Sequence, residues 1–205
     1  MKKEFISSDT IRDAGLKLAH KMYFEDGFVP DVIYVSLRGG AYMGNVISEY
    51  YKLVRKKTGG RPVFYAAVVA RSYSDVRAQS KIMVDGWTYS PAHLRAGDRI
   101  LIVDDIFDTG NTVNELTSHI MEHGIPREDI KIAVFDYKVP LYKKQEPLPI
   151  QPDYWCRKHV MQHESDEAWI HYMCHEMVGL SSEEIDKQFN DPEIRAILHN
   201  VRGEA

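Results

Sequence analysis

Two adjacent carboxylates, Asp104 and Asp105, stand just before a short polar turn, Asp108-Thr109-Gly110-Asn111-Thr112. The apolar run Ile100 to Val103 precedes them and has the β-branched character of a strand buried on both faces, which the acids end. Val113 to His123, closed by Gly124, has the pattern of a helix. A strand-loop-helix of this kind aims backbone N–H groups, the positive end of a helix dipole and two threonine hydroxyls at one point, an anion site of phosphate size. Carboxylates beside such a cradle repel the ligand unless they meet sugar hydroxyls, a metal shell or a developing cation. The combination points to a phosphorylated sugar. A plain strand-turn-helix would need no more than Asp108 or Thr109 as its N-cap.

The order of residues from Val103 to Thr112 goes further than composition. It closely resembles the phosphoribosyl pyrophosphate (PRPP) signature of the type I phosphoribosyltransferases: apolar residues, two acids, then Asp-Thr-Gly-x-Thr. The resemblance implies an α/β fold, a Rossmann-like parallel sheet flanked by helices, with a small C-terminal hood and here a helical extension. It implies a core over residues 1–150 and a base-binding hood over 151–180, while residues 181–205 are an extension beyond what such enzymes usually have. By the same resemblance Asp108 to Thr112 hold the 5-phosphate, Asp104 and Asp105 face the ribose hydroxyls and Mg2+, and Asp108 handles the proton at purine N7.

Other elements must bring further groups to that pocket. Asp31 to Ser36 reads as a second buried strand and ends in Ser36-Leu37-Arg38-Gly39-Gly40, before a helix from Tyr42 to Lys56 with Met43, Val46, Ile47, Tyr50 and Val54 inward. Two glycines allow close backbone approach, and an arginine suits phosphate. Alone this is also an ordinary tight turn. In the family a loop of this kind binds pyrophosphate, so Arg38, Gly39 and Gly40 are its counterparts, and Leu37–Arg38 is the position of a non-proline cis peptide.

Arg61 to Ala70 reads as a third strand, followed by a polar stretch and a segment from Lys81 to Tyr89 with hairpin character around Asp85-Gly86. The purine members carry a Ser-Tyr lid at this place, matched by Ser72 and Tyr73; a lid excludes water from an activated sugar. After the strand Lys131 to Asp136, Lys138 corresponds to the lysine that meets the exocyclic oxygen of a 6-oxopurine, although Val139 interrupts the Lys-Pro context. Trp169 follows an acidic turn as the hood aromatic does, to stack on the base, with the Ile170 main chain at the ring's 2-position. Glu176 corresponds to an acid for a second magnesium.

The N-terminal segment from Phe5 to Phe24 reads as an amphipathic helix capped by Ser8 or Asp9, and Ser181 to Arg202 as capped, charged helices. His159, His163, His171, Cys174 and His175 crowd one region and invite a zinc site, but neither Cys-x-x-Cys nor His-Glu-x-x-His accompanies them. With 205 residues, 44% of them hydrophobic, the chain can bury a sizeable core. No run has the length of a membrane span, no secretory signal is evident, and two cysteines make no disulfide framework. A cytoplasmic protein is expected.

A net charge of −4 gives no basic footprint for nucleic acid. The expected reaction is Mg-dependent transfer from PRPP to hypoxanthine, guanine or xanthine, releasing pyrophosphate and a nucleoside monophosphate, by a homodimer or homotetramer. Alternatives are transfer to orotate or adenine, or a PRPP-sensing regulatory protein of the same fold.

Overall fold

The computed structural model describes residues 2–73, 81–143 and 148–203, with the backbone alone at 71–73 and 81. In chain order the regular elements are β1 (Lys2–Ile6), α1 (Ser8–Phe24), β2 (Val32–Leu37), α2 (Gly40–Thr58), β3 (Phe64–Tyr73), β4 (Lys81–Trp87), β5 (Ile100–Phe107), α3 (Asn111–Glu122), β6 (Ile130–Pro140), β7 (Tyr154–Met161), β8 (Ala168–Tyr172), α4 (Ser182–Gln188) and α5 (Pro192–Val201). Six strands form one sheet in the order β4-β3-β2-β5-β6-β7, parallel except for β3 with β4. This is the parallel α/β architecture that the sequence predicts. No helix among the described residues is long and apolar enough to cross a membrane.

The uninterrupted apolar runs have a simple cause. Side chains alternate across a strand, and this sheet is covered on both faces. Ile33, Val35, Leu101, Val103 and Phe135 pack toward α1 and α2, with Met22, Met43, Ile47 and Tyr51. Val32, Tyr34, Ile100, Ile102 and Val134 pack the other way, onto Val113, Leu116 and Ile120 of α3. The loops that leave the carboxyl ends of β2, β5 and β6 therefore open on one rim, where ligands sit in open α/β sheets.

Four points differ from the sequence reading. Residues 5–24 are not one helix: Ser7 is the N-cap of α1, accepting from Thr10 N–H, and Lys2–Ile6 forms β1. That strand pairs in parallel with β8, so the hood is built from both ends of the chain. The boundary expected at residue 150 shifts accordingly, because β7 is the edge strand of the main sheet. Asp85-Gly86 is not a hairpin turn; Gly86 pairs with Val69 and Val84 with Ala70, making Asp85 the extra residue of a β-bulge. On α2, Tyr51 is the fully buried tyrosine and Tyr50 is only half-buried.

The extension is capped by Ser181, which accepts from Glu184 N–H while the Glu184 carboxylate accepts from Ser181 N–H. Ile185 is its one buried residue in α4, and α5 has none.

Candidate active site

The acids end the apolar run, but β5 itself continues through both of them to Phe107. Asp104 is 8% exposed and accepts from the N–H of Asp105 at 3.0 Å. Burial, and then the neighbouring Asp105 charge, push its carboxyl well above the usual range, partly opposed by hydrogen bonds from Asp105 N–H and the Ser36 hydroxyl. Asp105 faces His175, whose Nε2 lies 3.3 Å from Oδ2. Hydrogen bonds to Asp105 and then Cys174 raise the His175 imidazole to about 10, against its partial burial, so it is a cation at neutral pH.

The glycine pair after β2 stands directly against these acids. A Cβ on Gly39 would overlap the Asp105 carboxylate, and one on Gly40 the Val103 carbonyl oxygen. Neither glycine has a positive φ, so close approach is what demands them here. The Leu37–Arg38 peptide is cis, and Arg38 is exposed. Among the described residues no carboxylate pairs with its guanidinium. Gly39 and Gly40 thus stand beside Asp105 and Asp104, with Arg38 immediately before them in the chain.

Gly110 is the N-cap of α3 at φ +79°, and a Cβ there would strike the Phe107 ring. The N-cap residue Gly110 has no side chain to cap the helix, and among the described residues the side-chain contact at its start is Thr109 Oγ1, which accepts from the Asn111 N–H at 3.5 Å. Beyond that long contact, no capping side chain among the described residues meets the first-turn N–H groups of α3. No acid lies in that first turn. Asn114 fixes the cradle from behind: its Nδ2 donates to Gly110 O and Ile150 O, and its Oδ1 accepts from Ile150 N–H.

Asp108, half-exposed, points at Lys138, whose Nζ lies 4.0 Å from Asp108 Oδ2 and donates to Ala168 O at 3.3 Å. That carbonyl immediately precedes Trp169, which is 50% exposed. Ile170 is buried in the core and pairs with Glu4 of β1. Lys138, Asp108 and the hood strand thus meet at one place.

Other expected residues are placed differently. Glu176 accepts from the N–H of Tyr172, and the side chain beside Asp105 is His175. Asp104, Asp105 and Glu176 do not converge: no three His, Cys, Asp or Glu among the described residues form a group able to hold a metal. This also disposes of the crowded histidines, because His159 faces Asp136, His171 stacks on Phe5 and His175 faces Asp105. The side chains of Ser72 and Tyr73 lie outside the described residues.

Sequence reasoning missed Asp136, Arg157 and Tyr172, and singled out His159 only as one of the crowded histidines and not as a partner of Asp136. Asp136 is fully buried with donors on both oxygens. The one available signal was an acid inside an otherwise apolar strand, which in a doubly covered sheet requires partners.

The family model described as phosphoribosyl transferase domain matches residues 7–170. The chain belongs to this family. Members with similar sequences include a hypoxanthine-guanine phosphoribosyltransferase of Canis lupus familiaris, 31% identical over 60% of this chain and 56% of that protein. The Bifunctional protein PyrR of Halalkalibacterium halodurans is 25% identical over 75% of this chain and 82% of its own. Among solved structures, a purine phosphoribosyltransferase from Pyrococcus horikoshii Ot3 superposes with TM-score 0.64 at 21% identity, covering 88% of this chain and 99% of that one. A hypothetical protein from Neisseria gonorrhoeae with bound ppGpp has TM-score 0.61 at 16% identity over 98% of both chains. These likenesses extend the agreement in fold. The family match covers the acids on β5, the glycine turn after β2 and the cradle before α3, and it stops at Ile170.

Proposed function

We propose that this phosphoribosyltransferase moves the 5-phosphoribosyl group of PRPP onto hypoxanthine, guanine or xanthine, releasing pyrophosphate. The observation that carries the reading is the pairing of Lys138 with Asp108 beside the carbonyl before Trp169. A guanine presents O6, an acceptor, and N7 side by side on one edge, and in the free base N7 gives up a proton as another ring nitrogen bonds to the sugar. A lysine donor for O6 and an acid for the proton at N7 must then be neighbours. Adenine offers an N6 donor at that edge, which would oppose the lysine.

The remaining groups follow from their chemistry. The first turn of α3 with Thr109 and Thr112 receives the 5-phosphate. Arg38 and the main chain of Gly39 and Gly40 receive pyrophosphate as it leaves. Asp104 and Asp105 face the ribose hydroxyls, and their negative charge favours a sugar with oxocarbenium character over the neutral ground state. Trp169 stacks on the base. Transfer forms the bond from the purine nitrogen to C1 as the bond to pyrophosphate breaks.

The acid pair also fits magnesium. Two carboxylates side by side, one buried and destabilised as an anion by the other, are eased by a divalent cation, and this ion ordinarily takes only one or two carboxylates together with substrate phosphates. When bound, it would neutralise charge on the leaving pyrophosphate. These small soluble substrates accord with a cytoplasmic enzyme.

The Halalkalibacterium halodurans relative is named a bifunctional protein, which favours a second reading: a PRPP-sensing regulatory protein of this fold. Purified protein with PRPP, magnesium and each free base in turn, followed by pyrophosphate release, separates the two. Turnover with a 6-oxopurine supports transfer. Binding of PRPP without turnover on any base removes it.

A further inference from the structure

Glu4, Asp105, Asp136, Arg157 and Tyr172 come from five strands, yet one run of contacts joins them. Asp136 on β6 is wholly buried. Arg157 Nε and His159 Nε2 each lie 2.6 Å from its Oδ1, and the Tyr172 hydroxyl donates to its Oδ2 at 2.7 Å. Arg157 reaches on to Glu4 of β1 through Nη1, at 2.6 Å. The hood sheet is thereby tied to the edge of the main sheet through both of its strands.

Tyr172 does more than satisfy Asp136. Its hydroxyl oxygen is also 3.2 Å from the carbonyl oxygen of Asp105, and its ring stacks on His175 at 5.6 Å and 16°. His175 in turn faces the Asp105 carboxylate. Asp105 is therefore met on its main chain by Tyr172 and on its side chain by the ring that Tyr172 supports. A hood that merely covered a base could dock through apolar contacts such as Ile170 alone. A buried carboxylate is costly unless each oxygen is partnered, and here one of those partners reaches the sugar-facing acid.

We infer that Tyr172, held by Asp136, is a positioning residue that fixes Asp105 relative to the hood strand carrying Trp169. The inference rests on the function proposed above. Trp169 and Tyr172 share the five-residue β8. Anchoring one end of that strand to Asp105 sets the separation between a base on Trp169 and a ribose on the acid pair. Bond formation between the two depends on that separation, since misplacement by about 1 Å can cost on the order of a hundredfold in rate.

Tyr172→Phe tests this, because it removes only the hydroxyl and leaves Asp136 its Arg157 and His159 partners. Steady-state kinetics with hypoxanthine and PRPP should show kcat reduced about tenfold or more, with the KM for base within about twofold of the parent value. Hydrogen-deuterium exchange on the same samples should quicken in β8 and stay unchanged in β2 and β5. An active parent with an equally active variant overturns the inference and leaves the proposed function standing. A parent that turns over no 6-oxopurine overturns both. Exchange that rises throughout the main sheet also overturns it, since Tyr172 then serves the fold at large.

Discussion

Lys138 Nζ stands 4.0 Å from Asp108 Oδ2 and 3.3 Å from the Ala168 carbonyl oxygen, so one ammonium joins the end of β6, the phosphate cradle and the hood. In the proposed reaction that ammonium reads the purine oxygen. Lys138→Ala should raise the KM for hypoxanthine or guanine by about 10- to 100-fold, the cost of leaving a polar acceptor without its charged donor. The KM for PRPP should change far less. Varying each substrate in turn checks this, and a larger effect on PRPP would put the lysine at the wrong substrate.

Asp108 shares the pairing but has a different task. Asp108→Asn keeps the shape and removes the proton acceptor, so kcat should fall by about 10²- to 10⁴-fold. Its side chain is 48% exposed, and thermal stability should move by less than about 0.5 kcal/mol. Rates near the parent value would take Asp108 out of the proton transfer.

Gly110→Ala meets two obstacles: φ of +79° and the Phe107 ring at the position of the new methyl. A loss of roughly 1–3 kcal/mol is expected. PRPP binding should weaken with it, because the same residue starts α3. Urea denaturation and calorimetric titration with PRPP measure the two effects. An alanine variant of full stability would mean that the loop relaxes freely.

Asp98 supplies a pH dependence remote from the site. Its burial favours the neutral acid, but the Arg61 guanidinium and the Arg95 N–H outweigh burial and hold the carboxyl below the usual range. A depressed native value means stability that is present above the unfolded value, near pH 4, and is lost as pH falls through the native one. Asp98→Asn should cost about 1–3 kcal/mol at pH 7. The difference from the parent should shrink as pH falls below about 4. Denaturant midpoints at pH 7 and pH 3.5 decide it; a gap that widens in acid would reverse the sign.

The parallel sheet and the three loops of the site were legible because each depends on local pattern. Apolar runs such as Ile100 to Val103 report burial on both faces, and Gly39-Gly40 and Gly110 stand where a side chain cannot fit. The hood was less legible for a physical reason. β1 is short and polar at its start, Lys2-Lys3-Glu4, and is held by pairing with a strand at the far end of the chain. No periodicity within residues 2–6 encodes that partner. His175 in place of Glu176 at Asp105 has the same origin, since β8 ends at Tyr172 and the turn beyond it decides which neighbour faces inward. The network around Asp136 unites residues that are ordinary on their own strands and unusual only together.

The extension gives a contrast between two isoleucines. Ile185 on α4 is 2% exposed, while Ile197 on α5 is 54% exposed and its helix buries no residue. Burial sets the cost of truncating an apolar side chain, through the lost transfer energy and the cavity left behind. Ile185→Ala should therefore cost about 2–4 kcal/mol, and Ile197→Ala no more than about 0.5 kcal/mol. Thermal melts at low protein concentration compare them within one chain. Equal losses would mean that α5 is covered in solution by a surface that a single chain does not supply, and repeating the melts across a range of concentrations would then show the Ile197→Ala deficit grow with association.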